Sequence, residues 1–480
     1  MVPSLARNIR LPGPGARRLL HALARAGPEP LTTLHPTSLV GRRSQLSGRL
    51  EPLIRDHKHD LADSWSRLLH SLDAETRVIQ ALGSSIIPVA KFGTDIDIDA
   101  ITGLPIFKSS ALADDIRKRG VVVIRDVIPA DLALALKEEA EEYVENNSSS
   151  IITSTQNPSL YDVYWSKAQV QARSHPNVLE AQSLLMGLWR SSKLNTPLSV
   201  GHPLSYADRM HFRSSSTPEF SLGPHIDSGP IMRWSNPESF NVYEDVFSRT
   251  GWESYDAFDY ARRFDTVPDF SDGSGSCSVF RMFQGWLSLT RTGHNDGSLK
   301  VYPLLQQATA YAMLRPLFSI TGDRPSPSLD TFLTGRELMS ALYPHLDFEN
   351  AMVSLPAINP GDYVAWHPDM IHSLDPTFMI SESAGIYLPA VPLTIPNARY
   401  LVEQREAFES LTPPPDFPIA FGQSESTFLG SGTEMDALSE DGLRAAGFGY
   451  AKWDEDKSNS FIEHSLLKDA NKIVFSKTAI

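Results

Sequence analysis

Between residues 204 and 393 the chain alternates short β-branched and aromatic runs with Gly, Asp, Asn and Pro. The runs are "LSYADRMHFR", "SVFRMFQGWLSLT", "GSLKVYPL", "GDYVAWH" and "AGIYLPAVPL". Each is long enough for one strand, and each break carries turn chemistry. Such spacing suits an antiparallel barrel or sandwich better than a parallel sheet. Helical patterns flank it. From about Arg43 to Leu82 apolar residues recur at three-and-four spacing, as in "ADSWSRLLHSLDAETRVIQAL". Gly120 then precedes a β-branched strand, Val121 to Ile124, and Pro129 opens a helical segment that ends at Asn146 and Asn147. "LLQQATAYAMLRPLF" and "GRELMSALYPHL" read as helices outside the strands, and "SEDGLRAAGF" as a late one. The expected fold is mainly β with flanking helices.

Composition removes several classes of function. Lys and Arg total 43 against 57 Asp and Glu, a net charge of −14, so the chain lacks the general pull on phosphate backbones and no nucleic-acid partner is expected. Cys277 is the only cysteine, which rules out a disulfide framework, a Cys-rich zinc site and a CxxC pair. With no base beside it in sequence, it reads as a buried, inert thiol. No apolar run approaches the roughly 18 residues of a membrane span. A cytoplasmic protein without a membrane partner is expected. The stretch "MVPSLARNIRLPGPGARRLLHALARAGPEP" holds a single acidic residue, Glu29, which suits a mitochondrial presequence. A disordered extension is the alternative, favoured by its five prolines. The expected layout is an N-terminal extension over 1–42 and a single domain over 43–480. Its core falls at about 105–400, with a lid-like insertion at about 235–276 and a C-terminal extension at about 431–480.

The chain contains four His-x-Asp triplets: His225/Asp227, His294/Asp296, His345/Asp347 and His367/Asp369. On a strand, residues i and i+2 share a face and can serve one metal, whereas on a helix they diverge by about 200°. "GHNDGS" is turn chemistry and "PHLDF" follows a helical pattern. "WHPDM" has a proline that bends any strand. "GPHIDSG" alone reads as a strand end, so His225 and Asp227 are the candidate ligands. A third comes from "GDYVAWHPDMIHS", through His367 or His372. They are five apart, on opposite faces of any regular strand, so only one can serve. Two imidazoles and one carboxylate form the facial triad that holds non-haem Fe(II) and leaves three positions open.

The strand-helix unit "RGVVVIRDVIPADLALAL", the "HID" pair, "QGWLSLTRTGHNDGSLKVYPLL" and "GDYVAWHPDMIHS" follow one another in the order found in Fe(II)/2-oxoglutarate-dependent oxygenases of the phytanoyl-hydroxylase type. More narrowly, "LSYADRMHFR", "LGPHIDSGPIMRW" and "FRMFQGWLSLTRTG" resemble the DUF1479, or Gig2-like, family, from about Arg43 to at least Phe448. The resemblance implies a double-stranded β-helix (jelly-roll) core. It also implies Fe(II) on His225, Asp227 and His372, with 2-oxoglutarate and O₂ as cosubstrates. The family reaction would oxidise a small, polar or amino-acid-like substrate by C–H abstraction, giving hydroxylation, desaturation or oxidative cyclisation.

One departure stands out. Many relatives anchor the distal carboxylate of 2-oxoglutarate on an Arg ten to fifteen residues after the last His, yet this chain has no Lys or Arg between His372 and Arg399. An arginine offers the bidentate fork that a carboxylate fits. Arg281, expected on the strand that continues into Gln284 and Trp286, is the first candidate. Arg209 and Arg213, at i and i+4 on the preceding strand, come next, and Arg233 is assigned to substrate. A cupin-like metalloenzyme that uses no 2-oxoglutarate, or a metal-free jelly-roll binding module, are the alternative readings.

Overall fold

The computed structural model describes residues 36–151, 159–213, 221–264, 266, 277–293, 299–319, 338, 340–374, 382–417, 424–449 and 452–475. The expected presequence, the triplet at His294 and Asp296, and most of the end of the expected insertion lie outside them. The chain divides into a unit ending at Gln45 and a compact unit from Leu46 onward, which carries every strand.

Fifteen strands are formed among the described residues: β1 (Val89–Lys91), β2 (Ile96–Ile98), β3 (Pro105–Phe107), β4 (Val121–Arg125), β5 (Leu160–Tyr161), β6 (Ser199–Leu204), β7 (Met210–Arg213), β8 (Leu222–His225), β9 (Gln284–Ser288), β10 (Leu299–Val301), β11 (Val353–Ser354), β12 (Tyr363–Trp366), β13 (His372–Leu374), β14 (Ser383–Tyr387) and β15 (Val391–Leu393). Seven form one sheet in the order β1-β4-β12-β9-β14-β7-β5, and four form a second in the order β11-β10-β13-β8. The consecutive strands β7 to β14 divide equally between these sheets, and all their pairings are antiparallel. The β1–β4 pair is parallel.

Two neighbouring strands of the large sheet, β4 and β12, are apolar on both faces. Val121 to Ile124 and Tyr363 to Trp366 are all buried, which is why these strands read as unbroken runs instead of alternating ones. Ser109 caps the helix Ser110–Arg119 by accepting from the Leu112 amide at 3.2 Å, and Gly120, at φ 70°, ends it and starts β4. Any side chain at Gly120 would meet the Met370 Cε at 2.6 Å, so the start of β4 is packed against the loop between β12 and β13. The same loop is tied there by the His367 amide, which donates to the Gly120 carbonyl at 2.8 Å.

Helix outweighs strand by residue count, which corrects the reading of a mainly β chain; the sheets are substantial but heavily clothed. The C-terminal segment, polar on average, hides a helix, Phe461–Phe475, whose Leu466, Leu467, Ala470 and Val474 join the core cluster that includes Ala398 and Leu401 of the helix Ile395–Glu409. Two expected strands are each split in two. "LSYADRMHFR" spans the end of β6 and all of β7, and "AGIYLPAVPL" becomes β14 and β15, which belong to different sheets. The expected helix "GRELMSALYPHL" is not formed in its described part from Ser340, which is turns and one short 3-10 turn at Pro344–Leu346. Pro344 lacks the N–H that a continuing helix would need.

Gly361 sets up β12. It sits at φ 87°, its carbonyl accepts from the Val127 and Ile128 amides at 3.0 and 3.2 Å, and a Cβ there would lie 2.2 Å from the Ile128 oxygen. Gly361→Ala combines left-handed strain with a backbone collision, so it should cost about 3 kcal/mol of stability and lower the thermal midpoint. Differential scanning calorimetry of the two proteins measures this directly.

Candidate metal centre

β8 ends at His225, and β13 begins at His372. The two strands pair antiparallel with His225 directly opposite His372, which brings their ring centroids to 4.2 Å. Asp227 arrives by a different route from the one the alternation of a strand suggests, because the strand stops at His225. Ser228 and Gly229 both have positive φ, 64° and 65°, and this sharp turn into the short helix Gly229–Ser235 swings the carboxylate back over the histidines. Asp227 Oδ1 lies 3.6 Å from His225 Nε2 and 3.8 Å from His372 Nε2. Adjacent ligands about 2.1 Å from one ion would stand about 3.0–3.4 Å apart, so a small contraction closes the site on a metal. Among the described residues this is the one His/Cys/Asp/Glu group with metal-binding spacing.

The backbone prepares both imidazoles. His225 Nδ1 lies 2.9 Å from the Gly223 carbonyl, and His372 Nδ1 lies 2.9 Å from the Met370 carbonyl. A carbonyl can only accept, so each Nδ1 carries a proton and Nε2 is the nitrogen turned to the cluster. Burial, followed by the neighbouring His225, holds His372 down to about 4, so it is neutral at physiological pH. Burial works against the charge of Asp227. The Arg281 guanidinium beside it works in its favour, and the carboxyl is held well below its usual range. Neutral imidazoles and an anionic carboxylate are the protonation states a divalent cation requires.

The remaining candidates divide. Gln284, the first residue of β9, donates to Asp227 Oδ2 at 2.8 Å, and Arg281 Nη2 lies 3.5 Å from the same oxygen. Both therefore hold the carboxylate so that Oδ1 faces the histidines. Arg281 precedes β9 and is not on the strand, as the sequence had suggested. Arg209 sits just before β7, against Asp208 at 3.2 Å and Asp162 at 3.9 Å, with its guanidinium over the Phe417 ring. Arg213 ends β7 directly opposite Ser383 of β14. Arg233 is buried, and its donors go to Asp369, Tyr243, and the carbonyls of Asp227 and Gly229, which withdraws the support for a substrate role. His367 is a structural histidine: Nδ1 accepts from the Asp369 amide at 3.0 Å, Nε2 donates to the Ala257 carbonyl at 2.9 Å, and the ring stacks on Trp189.

Sequence reasoning missed the rest of the lining. Trp366 packs 5.7 Å from the His372 ring and 5.5 Å from Trp286. Gly385 leaves room beside them, since a Cβ there would meet His211 Cε1 at 2.8 Å and Trp286 Cδ1 at 3.0 Å. His211 could have been found, because it alternates with Arg209 and Arg213 on the face already singled out. Among the described residues, His211 Nδ1, Trp366 Nε1 and Arg281 Nε are buried nitrogens with no protein acceptor. Trp366 Nε1 and Arg281 Nε can only donate, so a ligand with oxygen acceptors could satisfy them.

These features define a protein with a His/Asp/His centre whose histidines sit on the four-stranded antiparallel sheet, with Gln284 of the seven-stranded mixed sheet holding the carboxylate. Residues 42–448 match the Gig2-like family, and the chain belongs to it. It is 32% identical over 365 residues to the uncharacterized protein YbiU of Escherichia coli strain K12, covering 72% of this chain and 82% of that protein. The fold is similar to the crystal structure of GlcNAc Inducible Gene 2, GIG2 (DUF1479), from Candida albicans, with a TM-score of 0.74 at 26% identity over 90% of this chain and 94% of that one. The hypothetical protein JW0805 from Escherichia coli gives a TM-score of 0.71 at 29% identity, over 85% of this chain and 97% of the other. Among the described residues no helix is long and apolar enough to cross a membrane.

Two outcomes follow from this geometry. Gln284→Leu removes the donor that turns Asp227, so divalent-metal affinity measured by calorimetry should fall about tenfold, as losses of ligand-orienting partners do. His211, His367 and His372 are all held low by burial, at about 4, 3 and 4. The unfolded chain takes up protons near pH 6.5 while the folded chain does not. Stability of the metal-free protein should therefore fall as pH drops from about 6.5 towards 4, and thermal melts across that range should show it.

Proposed function

We propose that this protein is a non-haem Fe(II)/2-oxoglutarate-dependent oxygenase on a double-stranded β-helix core, acting on a small polar or amino-acid-like substrate. The observation that carries the reading is the cross-strand His225–His372 pair closed by Asp227. The division of β7 to β14 into two antiparallel sets of four, β7, β9, β12 and β14 against β8, β10, β11 and β13, supports the jelly-roll assignment.

The residues present fit the iron and its cosubstrate. His225, His372 and Asp227 supply two neutral nitrogens and one oxygen, the donor set of a facial Fe(II) site. Bound there, Fe(II) with 2-oxoglutarate and O₂ supplies the oxidising power to take hydrogen from a C–H bond. Gln284 and Arg281 keep Asp227 turned toward the histidines. Trp286 and Trp366 wall the site with apolar surface and help exclude water.

The missing downstream arginine has a replacement in register. Ser383 lies eleven residues after His372, inside the window where relatives carry the anchor, and Arg213 stands directly across the β14–β7 ladder from it. His211 shares that strand face, lies 3.3 Å from the Ser383 hydroxyl, and is held at about 4 by burial and then by the charge of Arg213. Arg213, Ser383 and His211 are therefore assigned to the distal carboxylate. The substrate would occupy the remaining space beside the tryptophans, where positioning decides which hydrogen is lost.

The cupin-like reading keeps one specific support: β14 itself, "SAGIY", carries no cation. Anaerobic addition of Fe(II) and then 2-oxoglutarate separates the two. A visible metal-to-ligand charge-transfer band should form, vanish in Asp227→Ala, and in Arg213→Met require at least tenfold more 2-oxoglutarate while Fe(II) affinity is kept. Iron binding without any band would reject the oxygenase reading in favour of the cupin-like one.

A further inference from the structure

The fourth triplet, set aside as a ligand source, holds the most heavily bonded buried carboxylate among the described residues. Asp369 Oδ1 accepts from Arg233 Nη2 at 2.8 Å, Arg233 Nε at 3.3 Å and the Tyr243 hydroxyl at 2.8 Å. Oδ2 accepts from Arg263 Nη2 at 2.7 Å and the Tyr255 hydroxyl at 3.3 Å. Asp369 is 1% exposed, and all four partners are buried. Two guanidinium groups on one carboxylate leave an excess positive charge in the interior, an arrangement that packing alone gives no reason to keep.

The cluster reaches two metal ligands by separate routes. Arg233 Nη1 donates to the main-chain carbonyl of Asp227 at 2.9 Å and to that of Gly229 at 3.0 Å, bracketing the left-handed turn that aims the Asp227 carboxylate. The next residue after Asp369 is Met370, whose carbonyl accepts from His372 Nδ1 and so fixes that ring. Asp369 also anchors the insertion, because Tyr243, Tyr255 and Arg263 all belong to it. His367, bonded to the Asp369 amide, reaches the Ala257 carbonyl of the same insertion.

We propose that Asp369 is a positioning residue: through Arg233 and through its own main chain it holds Asp227 and His372 at metal-binding spacing and ties that spacing to the insertion over 235–264. Asp369 itself touches neither the candidate ion nor the other reacting groups. The inference rests on the metal-centre part of the proposed function and is independent of the cosubstrate.

Co(II) alone, added to the full-length chain without 2-oxoglutarate, is the probe. Asp369→Asn and Arg233→Lys are the variants; the lysine keeps a positive charge near Asp369 but cannot span both Asp369 and the Asp227 carbonyl. Gly361→Ala, at the opposite end of β12 from Asp369, controls for a general loss of stability. Co(II) affinity should fall at least tenfold in both cluster variants, and the ligand-field absorption of the bound ion should change in position or intensity. The control should bind with wild-type affinity and spectrum despite its lower melting temperature. If Asp369→Asn fails to fold, Arg233→Lys decides the matter alone. A folded Arg233→Lys protein with unchanged Co(II) affinity and spectrum would overturn the inference while leaving the metal centre intact. A wild-type chain that takes up no Co(II) would overturn both.

Discussion

The site depends on one strand pairing. The β8–β13 ladder places His225 opposite His372, and a slip of one residue would turn one of the imidazoles to the other face of its sheet. Most of the surrounding structure secures this register. β10 pairs the other side of β13 from Leu299 to Val301, and the Leu338 amide reaches the Pro224 carbonyl at 2.7 Å just before His225. Gly120 packs against Met370, whose carbonyl holds the His372 ring. The large sheet adds what the small one lacks, Gln284 on the free oxygen of Asp227 and the tryptophan wall.

Electrostatics then sorts the buried polar groups into two kinds. Around Asp369 every carboxylate oxygen is saturated by protein donors, and the result is a rigid hub. Near Asp227, Arg281 keeps a buried N–H that no described residue satisfies, and so does Trp366 beside His372. Buried donors without acceptors are costly, and a ligand with oxygen acceptors would satisfy these two. The two carboxylates differ in what they leave over: both oxygens of Asp369 are taken by arginines and tyrosines, whereas Asp227 Oδ1 faces two imidazoles.

Much of this was legible in the sequence where the signal was local. The apolar run Val121 to Ile124, the Pro129-initiated helix and the strand Tyr363 to Trp366 came through because propensity and tertiary packing agree there. His225 and Asp227 of "HID" do lie together with His372, although Asp227 reaches the site through a left-handed turn instead of along a strand. What local signals could not show is partnership across the sheets. Arg213 gains its meaning from Ser383, 170 residues away, and Asp369 from Arg233, 136 residues away. Arg233 looked like a substrate ligand because it follows the triad closely; its partners turned out to be buried protein groups. The helix Phe461–Phe475 escaped notice because a polar average over the last fifty residues hid its apolar stripe.

The central claim is that one ion, held by His225, Asp227 and His372, binds a keto acid whose far end rests on Arg213. The most direct measurement is a crystal structure of the protein grown anaerobically with Fe(II) and 2-oxoglutarate. The account requires Nε2 of both histidines and a single Asp227 oxygen on the metal, with the distal carboxylate at Arg213, Ser383 and His211. Iron bound to a different set of side chains would contradict it, as would a cosubstrate carboxylate resting on another cation.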